Sequence, residues 1–354
     1  MKSILSIFVL AVLLSSCGNT NQNSQESSGE KATITAAGAT FPQPYYNLVF
    51  KNYTEKTGVQ ITYGGIGSGG GIRSLADKVV DFGATDAYLE DDKMAEMPDP
   101  IVHFPTCLGA VVIAYNLPGV DDLKLSDELL EKIFLGDITK WNDPLIAANN
   151  PGVKFPETSI LFVHRSDGSG TTAIFSDFMS KVSAKWAEQV GSGKSLNWPV
   201  GMGGKGNPGV VGTISQTEGA IGYVGSEYAF AQKIQMAKVQ NSAGEYVLPT
   251  MASVSAAAKG DIPDDTRIML TNSSDHDSYP ISGFTWIILY KEQAYNNRSY
   301  AQAEATLKLL DWLVSPDAQA QAPTVHYAPL TDDAVAKAKA ILRSVTFEGK
   351  PILK

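Results

Sequence analysis

Residues 33–86 read TITAAGATFPQPYYNLVFKNYTEKTGVQITYGGIGSGGGIRSLADKVVDFGATD, and strand-like and helix-like segments alternate along them. Short apolar runs typical of strands lie at residues 33–37, 59–63 and 80–84. Between them, a segment that begins at Pro42 and a second one over residues 70–78 have the apolar spacing of helices. This β-α-β-α-β order predicts an α/β fold in which helices cover a mostly parallel sheet.

The rest of the 354-residue chain continues this alternation without a visible internal repeat. We expect further strands at residues 110–115, 160–163, 220–224 and 284–290. We expect further helices at residues 127–134, 300–313 and 332–343. The glycine-rich residues 201–212 predict a surface loop between elements. With 44% apolar and 18% charged composition, the chain can bury a large core and is long enough for two domains.

The first sixteen residues have the composition of an export signal. Lys2 supplies a positive charge, and residues 4–14 form an apolar run that is too short to span a bilayer. Residues 14–16 (LSS) and Cys17 resemble the lipobox of bacterial lipoproteins, which implies that Cys17 is lipidated and becomes the mature N-terminus. An ordinary signal peptide with an incidental cysteine is the alternative. Residues 17–30 are polar, and we expect a flexible tether there.

Charge and cysteine content exclude two classes of protein. The chain has 28 Lys and Arg against 37 Asp and Glu, a formal net charge of −9, so its surface does not favour nucleic acid. Besides Cys17 the only cysteine is Cys107, which we expect to be a buried, small apolar residue rather than part of a disulfide framework. Any anion must therefore be held by local geometry and not by a positive overall field.

Residues 165–171 (RSDGSGT) combine a guanidinium, small hydroxyl side chains and glycines directly before a helix-like segment over 172–179. The free N–H groups and the dipole of a helix start favour an anion, and the arginine fork matches a tetrahedral oxyanion. We expect Asp167 to pair with Arg165 and hold the fork in position. Residues 38–42 and 65–71 share this order of strand, small residues and helix, and such loops gather at the carboxyl ends of strands.

Asp86, at the end of a predicted strand, is an unexpected neighbour for an anion because two negative groups in a dry cleft repel each other. Its position makes sense if the ligand carries a proton. Phosphate near neutral pH can donate its P–O–H proton to a carboxylate, whereas sulfate has no proton to give. Asp86 is therefore predicted to act as a filter against sulfate.

Two other chemistries fit parts of the pattern. Residues 65–70 also satisfy the G-x-G-x-x-G pattern of dinucleotide-binding proteins, but this interpretation leaves residues 165–171 unexplained. Ser68 or Ser169 could serve as the nucleophile of an exported phosphoesterase or serine hydrolase, although neither lies in a G-x-S-x-G motif. No close cluster of His, Cys and Asp indicates a metal site, and no catalytic residue is predicted.

Taken together, these motifs resemble the phosphate-binding proteins (PstS type) of bacterial ABC phosphate importers. The similar stretches cover most of the chain from about residue 33, in one order: residues 37–42, 65–68, 80–86, 135–141, 165–171, 201–206 and 219–224. The resemblance implies phosphate contacts from Thr40, the Phe41 N–H, Ser68, Asp86, Arg165, Ser169, the Gly170 N–H and Thr171. One departure is Gly69, where relatives often have a second serine.

The resemblance also implies a fold and a set of partners. The fold would be a two-lobe, type II periplasmic-binding-protein-like α/β fold, with mixed sheets flanked by helices and a hinge between the lobes. Lobe I would comprise residues 31–106 and 280–354, and lobe II residues 107–279. The protein would be an exported, lipid-anchored monomer facing the periplasm or cell exterior, without cofactor or enzymatic activity. It would deliver inorganic phosphate to the membrane subunits of an ABC permease with a cytoplasmic ATPase. A binding protein for sulfate, molybdate or a phosphonate is the nearest alternative.

Overall fold

The structure, a computed structural model, describes residues 32–354. The predicted export signal (residues 1–16), the lipidation site Cys17 and the tether (residues 17–30) lie outside the described residues. The strands are β1 Thr33–Gly38, β2 Gln60–Gly65, β3 Phe82–Thr85, β4 Ile101–Tyr115, β5 Lys124–Leu125, β6 Leu161–Arg165, β7 Met202–Gly204, β8 Ala220–Gly225, β9 Gln235–Met236, β10 Lys238–Gln240, β11 Tyr246–Val247, β12 Ser282–Tyr290, β13 Thr346–Phe347 and β14 Lys350–Pro351.

Helices connect most of these strands. The α-helices are α1 Gln43–Thr57, α2 Ser68–Ala76, α3 Asp91–Ala95, α4 Asp127–Phe134, α5 Pro144–Asn149, α6 Gly170–Val182, α7 Ala184–Gln189, α8 Gly206–Gln216, α9 Ser226–Gln232, α10 Met251–Ala256, α11 Tyr300–Leu313, α12 Pro316–Gln319 and α13 Asp332–Arg343. Across residues 32–354, none of these helices has the length and apolar character needed to cross a membrane.

The main sheet has the strand order β2-β1-β3-β12-β4-β8-β6-β7, and β9 pairs with β4 beside this path. Strands β1, β2 and β3 are parallel, as are β6, β7 and β8, whereas β12 and β4 pair with their neighbours in antiparallel fashion. The predicted α/β class is confirmed, and the sheet is mixed, as the family resemblance implies, rather than mostly parallel, as the β-α alternation predicted. The antiparallel pairs are β3 with β12, β12 with β4 and β4 with β8, so they all lie in the middle of the sheet.

Strand β4 connects the two parts of this sheet. Its residues 101–110 pair with β12, and its residues 111–115 pair with β8. We name β2, β1, β3 and β12 the first half of the sheet and β8, β6 and β7 the second half. All fifteen residues of β4 except Val102 are buried, which explains the continuous apolar sequence that predicted a strand at 110–115.

The predicted strands and helices are present, with shifted ends. Pro42 is the N-cap of α1 rather than its first residue, and α2 begins at Ser68, two residues before the predicted start. The prediction of a surface loop at residues 201–212 was wrong, because this segment contains β7 and the start of α8. A Cβ added at Gly204 would lie 2.7 Å from the Val210 nitrogen, so glycine there permits close packing of strand against helix.

Aromatic side chains contribute to the core of each half. Below the second half, Phe175 stacks on Tyr223 with 4.4 Å between ring centroids and an interplanar angle of 4°. Below the first half, Tyr46 stacks on Phe50 at 5.0 Å. Complete burial of such a side chain stabilises a fold by about 1.5–3 kcal/mol. Cys107 is buried, as predicted, and forms no disulfide within residues 32–354. Phe175 lies on α6 and Tyr223 on β8, so this pair packs the helix that begins at the candidate site against the sheet.

Candidate anion site

The eight residues predicted to contact an anion lie close together in the structure, and all are buried. Two follow β1, one begins α2 after β2, one follows β3, one ends β6 and three lie at the start of α6. None of the seven that have a side chain is more than 4% exposed. They are Thr40, Phe41, Ser68, Asp86, Arg165, Ser169, Gly170 and Thr171.

Ser68 connects the two halves of the sheet at this point. Its hydroxyl oxygen accepts the Gly170 N–H at 3.0 Å and the Asp86 N–H at 3.3 Å. The same oxygen lies 3.5 Å from Asp86 Oδ2 and donates its proton in that direction. A Cβ added at Gly170 would lie 2.6 Å from Ser68 Oγ and 2.5 Å from Asp86 Oδ2. Only glycine therefore keeps this approach open at the start of α6.

Arg165 is held by a bidentate ion pair with Asp167. Its Nε and Nη2 atoms donate to the two Asp167 oxygens at 2.8 and 2.6 Å, and the Arg165 side chain is 2% exposed. Burial raises the pKa of Asp167, but hydrogen bonds from Arg165 and the Gly206 N–H outweigh it and leave the pKa below its usual value. The remaining nitrogen, Nη1, points at Thr171 Oγ1 at 3.2 Å. The predicted pairing is thus present and directs one edge of the guanidinium into the site.

Asp86 is the one carboxylate among the predicted residues. Its Oδ1 accepts a hydrogen bond from the Thr285 hydroxyl at 2.8 Å. Burial raises the pKa of Asp86 to about 7, although Thr285, the Arg165 charge and Ser68 each lower it. At neutral pH this group therefore exchanges readily between acceptor and donor.

Thr40 and Phe41 form a loop that is fixed from both sides. The Phe41 ring packs against Gly109 of β4, where a Cβ would lie 2.4 Å from the ring. Tyr228 donates its hydroxyl proton to the Thr40 carbonyl, and Tyr327 donates to the Phe41 carbonyl. The carbonyl groups of the loop are therefore bonded to tyrosines and do not face the site. Only hydrogen-bond donors at the site would assist an anion.

The start of α6 has a side-chain cap. Ser169 Oγ accepts the Thr172 N–H at 3.0 Å, and the Ser169 N–H donates to the Lys194 carbonyl at 2.8 Å. The helix runs from Gly170 to Val182, so its dipole is directed at Ser68 and Asp86. Tyr223 supports this arrangement, because its hydroxyl contacts Thr172 Oγ1 at 2.6 Å.

The G-x-G-x-x-G stretch does not form a dinucleotide site. The Gly69 N–H donates to the Gly168 carbonyl at 2.9 Å, and a Cβ on Gly67 would lie 2.3 Å from Asp167 Oδ2. The second half of the sheet thus occupies the space in front of α2 where a pyrophosphate would lie. A Cβ at position 69 would lie 3.3 Å from the Gly168 Cα, a tight contact.

Three neighbours of the predicted anion contacts were missed by reasoning from the sequence. Asn207 contacts both Thr40 and Thr171, Thr285 contacts Asp86, and Lys194 lowers the pKa of Asp86. Asn207 follows a short strand and glycines and opens a helix, so the pattern used for the other loops could have identified it. No sequence signal marks Thr285 or Lys194.

Two cavities flank the site where the halves meet. One of about 240 Å³ is lined by residues that include Glu90, Asp177 and Lys194. The other, of about 180 Å³, is lined by residues that include Thr40 and Lys205. Burial lowers the pKa of Lys194, against the opposing charges of Glu90 and Asp86. Chemically, the cluster presents one fixed guanidinium, several N–H and hydroxyl donors and one carboxyl acceptor.

Known proteins resemble this chain along most of its length. The family model of the PBP superfamily domain matches residues 23–317. The phosphate-binding protein PstS of Xylella fastidiosa is 38% identical over 328 residues, which cover 91% of this chain and 88% of the relative. The phosphate-binding protein PstS of Pasteurella multocida is 39% identical and covers 94% of both chains.

A solved structure with the same fold is that of a high-affinity periplasmic phosphate-binding protein with phosphate bound. It is 20% identical, has a TM-score of 0.68 and covers 91% of this chain and 100% of its own. This similarity confirms the predicted periplasmic-binding-protein-like α/β fold. Because full-length relatives are close to 40% identical, the chain belongs to the PBP superfamily and, within it, to the phosphate-binding proteins PstS.

Proposed function

We propose that this protein captures inorganic phosphate at the buried anion site and delivers it to an ABC permease. The observation that carries the proposal is a set of donors around one fixed guanidinium, with a single carboxylate acceptor, Asp86, among them. A protonated tetrahedral oxyanion matches this arrangement, because its oxygens accept and its P–O–H group donates. The names and the bound phosphate of the relatives support the same ligand.

The contacts that we assign to phosphate come from both halves of the sheet. The first half contributes Thr40, the Phe41 N–H, Ser68 and Asp86. The second half contributes Arg165, Ser169, the Gly170 N–H and Thr171. A ligand held from both sides favours the closed arrangement, because only there are all of its oxygens satisfied.

Two lobes that close about a hinge follow from this assignment. We place lobe I at residues 31–106 and 280–354 and lobe II at residues 107–279, so that β4 and the segment before β12 connect them. The bond from the Gly170 N–H to Ser68 crosses between the halves, as does the bond from Asn207 to Thr40. Contacts of this kind require the lobes to be close together, and on phosphate binding the Gly170 N–H would exchange Ser68 Oγ for a phosphate oxygen.

Asp86 provides selectivity in this proposal. As a carboxylate it accepts the phosphate proton and repels sulfate, which offers only lone pairs. Because burial raises the pKa of Asp86 to about 7, the group gains a proton below neutral pH and becomes a donor. Rejection of sulfate should therefore be strong at pH 8 and weaker at pH 6.

Export and membrane attachment complete the proposal. The apolar residues 4–14 and Cys17 support secretion and lipid anchoring, with residues 17–30 as a tether and the folded part facing the periplasm or cell exterior. The partners are then the membrane subunits of an ABC permease and its ATPase, and the binding protein acts as a monomer. We assign it no catalysis, so it should not turn over a chromogenic phosphate ester.

Calorimetry on residues 17–354 with Cys17→Ser tests the ligand directly. We expect phosphate and arsenate to bind, and sulfate, molybdate and phosphonates to bind at least about tenfold more weakly at pH 8. Arg165→Ala removes a charge-assisted contact and should weaken phosphate by about 1.5–3 kcal/mol, roughly tenfold or more. Arg267→Ala is the control, because Arg267 pairs with Asp91 and Asp265 outside the site. Equal binding of sulfate and phosphate, or an Arg165→Ala variant with unchanged affinity, would contradict the proposal.

A further inference from the structure

Asn207 is a fully buried polar side chain next to the proposed phosphate contacts. It is the second residue of α8, in the second half of the sheet. Its backbone N–H and its Nδ2 both donate to Thr40 Oγ1, at 3.2 and 3.0 Å. Nδ2 also donates to Thr171 Oγ1 at 3.1 Å, so one amide group bridges two hydroxyls from opposite halves.

The orientation of this amide is fixed by the backbone. Asn207 Oδ1 accepts the Gly225 N–H at 3.0 Å, and an N–H group can only donate. The oxygen end of the amide therefore faces Gly225, and the NH₂ end must face the two threonines. The backbone N–H of Asn207 can also only donate, so it independently makes Thr40 Oγ1 the acceptor of this bond.

A count of lone pairs then decides what the hydroxyls can do. A threonine hydroxyl has one proton to donate and two lone pairs that accept. Thr40 Oγ1 accepts twice from Asn207, and Thr171 Oγ1 accepts from Asn207 Nδ2 and from Arg165 Nη1 at 3.2 Å. Both lone pairs of each oxygen are engaged, so each hydroxyl can still donate its proton but cannot accept a further hydrogen bond.

We propose that Asn207 is a positioning residue that fixes the hydroxyls of Thr40 and Thr171 as hydrogen-bond donors to the bound anion. This inference rests on the proposed phosphate site and explains why the two hydroxyls act there as donors and not as acceptors. Asn207 supplies donors to the oxygens of both threonines and thereby turns their protons toward the ligand. Asp86 is left as the acceptor for the ligand proton. Because the bonds to Thr40 cross between the halves, this polarity is established as the halves come together.

A double-mutant cycle on the whole secreted chain, with phosphate affinity measured by calorimetry, tests this role. The variants are Asn207→Leu, the pair Thr40→Val with Thr171→Val, and the triple combination. If Asn207 acts through the hydroxyls, Asn207→Leu weakens phosphate binding about tenfold in the parent and less than about twofold when both threonines are valine. A merely structural role predicts the same loss in both backgrounds, and that result would overturn the proposal.

Two further variants keep the test decisive. Asn207→Asp retains the volume and the oxygen that accepts from Gly225, so it serves if the leucine variant does not fold. Its second oxygen accepts where Nδ2 donated, so it would draw the protons of Thr40 and Thr171 away from the ligand, and the loss of phosphate affinity should again be larger in the parent than in the valine background. Asn150→Leu is the matched control: Asn150 is also buried and bonded to the backbone, but through Lys124 and Ile146, and its loss should leave phosphate affinity unchanged. If the parent itself does not bind phosphate, the proposed function fails as well; if the parent binds and the losses are additive, only the role of Asn207 fails.

Discussion

Replacing Thr285 by valine should change the pH dependence of phosphate binding more than it changes the fold. Thr285 Oγ1 donates to Asp86 Oδ1 at 2.8 Å, both side chains are buried, and valine has nearly the same shape. A hydrogen bond to a charged group is worth about 1.5–3 kcal/mol. Because one pH unit corresponds to about 1.4 kcal/mol, its loss should raise the pKa of Asp86 by about 1 to 2 pH units.

The effect on binding follows from the fraction of ionised carboxylate. The pKa of Asp86 is raised by burial to about 7, so roughly half of the groups are ionised at pH 7. In Thr285→Val that fraction should fall by about 5- to 50-fold, and phosphate affinity at pH 7 should fall by a similar factor. The deficit should shrink to about twofold or less at pH 9, where the carboxylate ionises again.

Calorimetry between pH 6 and 9, together with the carboxyl ¹³C shift of Asp86, would measure both quantities. Thr106→Val is the matched control, because Thr106 is buried and bonds the Thr285 carbonyl and Tyr46 without touching Asp86. If Thr285→Val and the parent had the same pH profile, the link from this hydroxyl to Asp86 and then to the ligand would be refuted.

Two other substitutions probe the site and the fold separately. Gly170→Ala places a Cβ 2.5 Å from Asp86 Oδ2, and overpacking of about 1–3 kcal/mol should reduce phosphate affinity by about 5- to 150-fold. Gly212→Ala in α8 has open space around the added Cβ and should leave calorimetric affinity unchanged. A second prediction concerns Glu227, because burial raises its pKa well above the usual value. The folded protein therefore holds a proton that the unfolded chain releases, and the free energy of unfolding falls as pH rises above about 4.3. Glu227→Gln should abolish this pH dependence of the free energy of unfolding, which amounts to up to about 1.4 kcal/mol per pH unit in urea titrations without phosphate. The same substitution at the exposed Glu55 should leave the pH dependence unchanged. Parallel pH curves for the parent and Glu227→Gln would count against a proton held at this residue.

Much of the site could be predicted because its determinants are local. A strand followed by small residues and a helix places N–H groups and a dipole at one edge of a sheet wherever it occurs. The cap by Ser169 and the ion pair of Arg165 with Asp167 join residues three and two positions apart, so the spacing alone indicates both. The same local rule, applied to residues 201–212, would have predicted the short strand and α8 that we expected to be a loop.

The α/β alternation, the anion-binding loops and the acidic residue among them can all be read from the amino-acid sequence. The pKa of Asp86 cannot, because it depends on burial and on Thr285, which lies 199 positions along the chain. Folding also brings Asn207 between Thr40 and Thr171, which lie 167 and 36 positions from it along the chain. Desolvation and long-range hydrogen bonds exist only between groups that folding brings together, so no local pattern contains them.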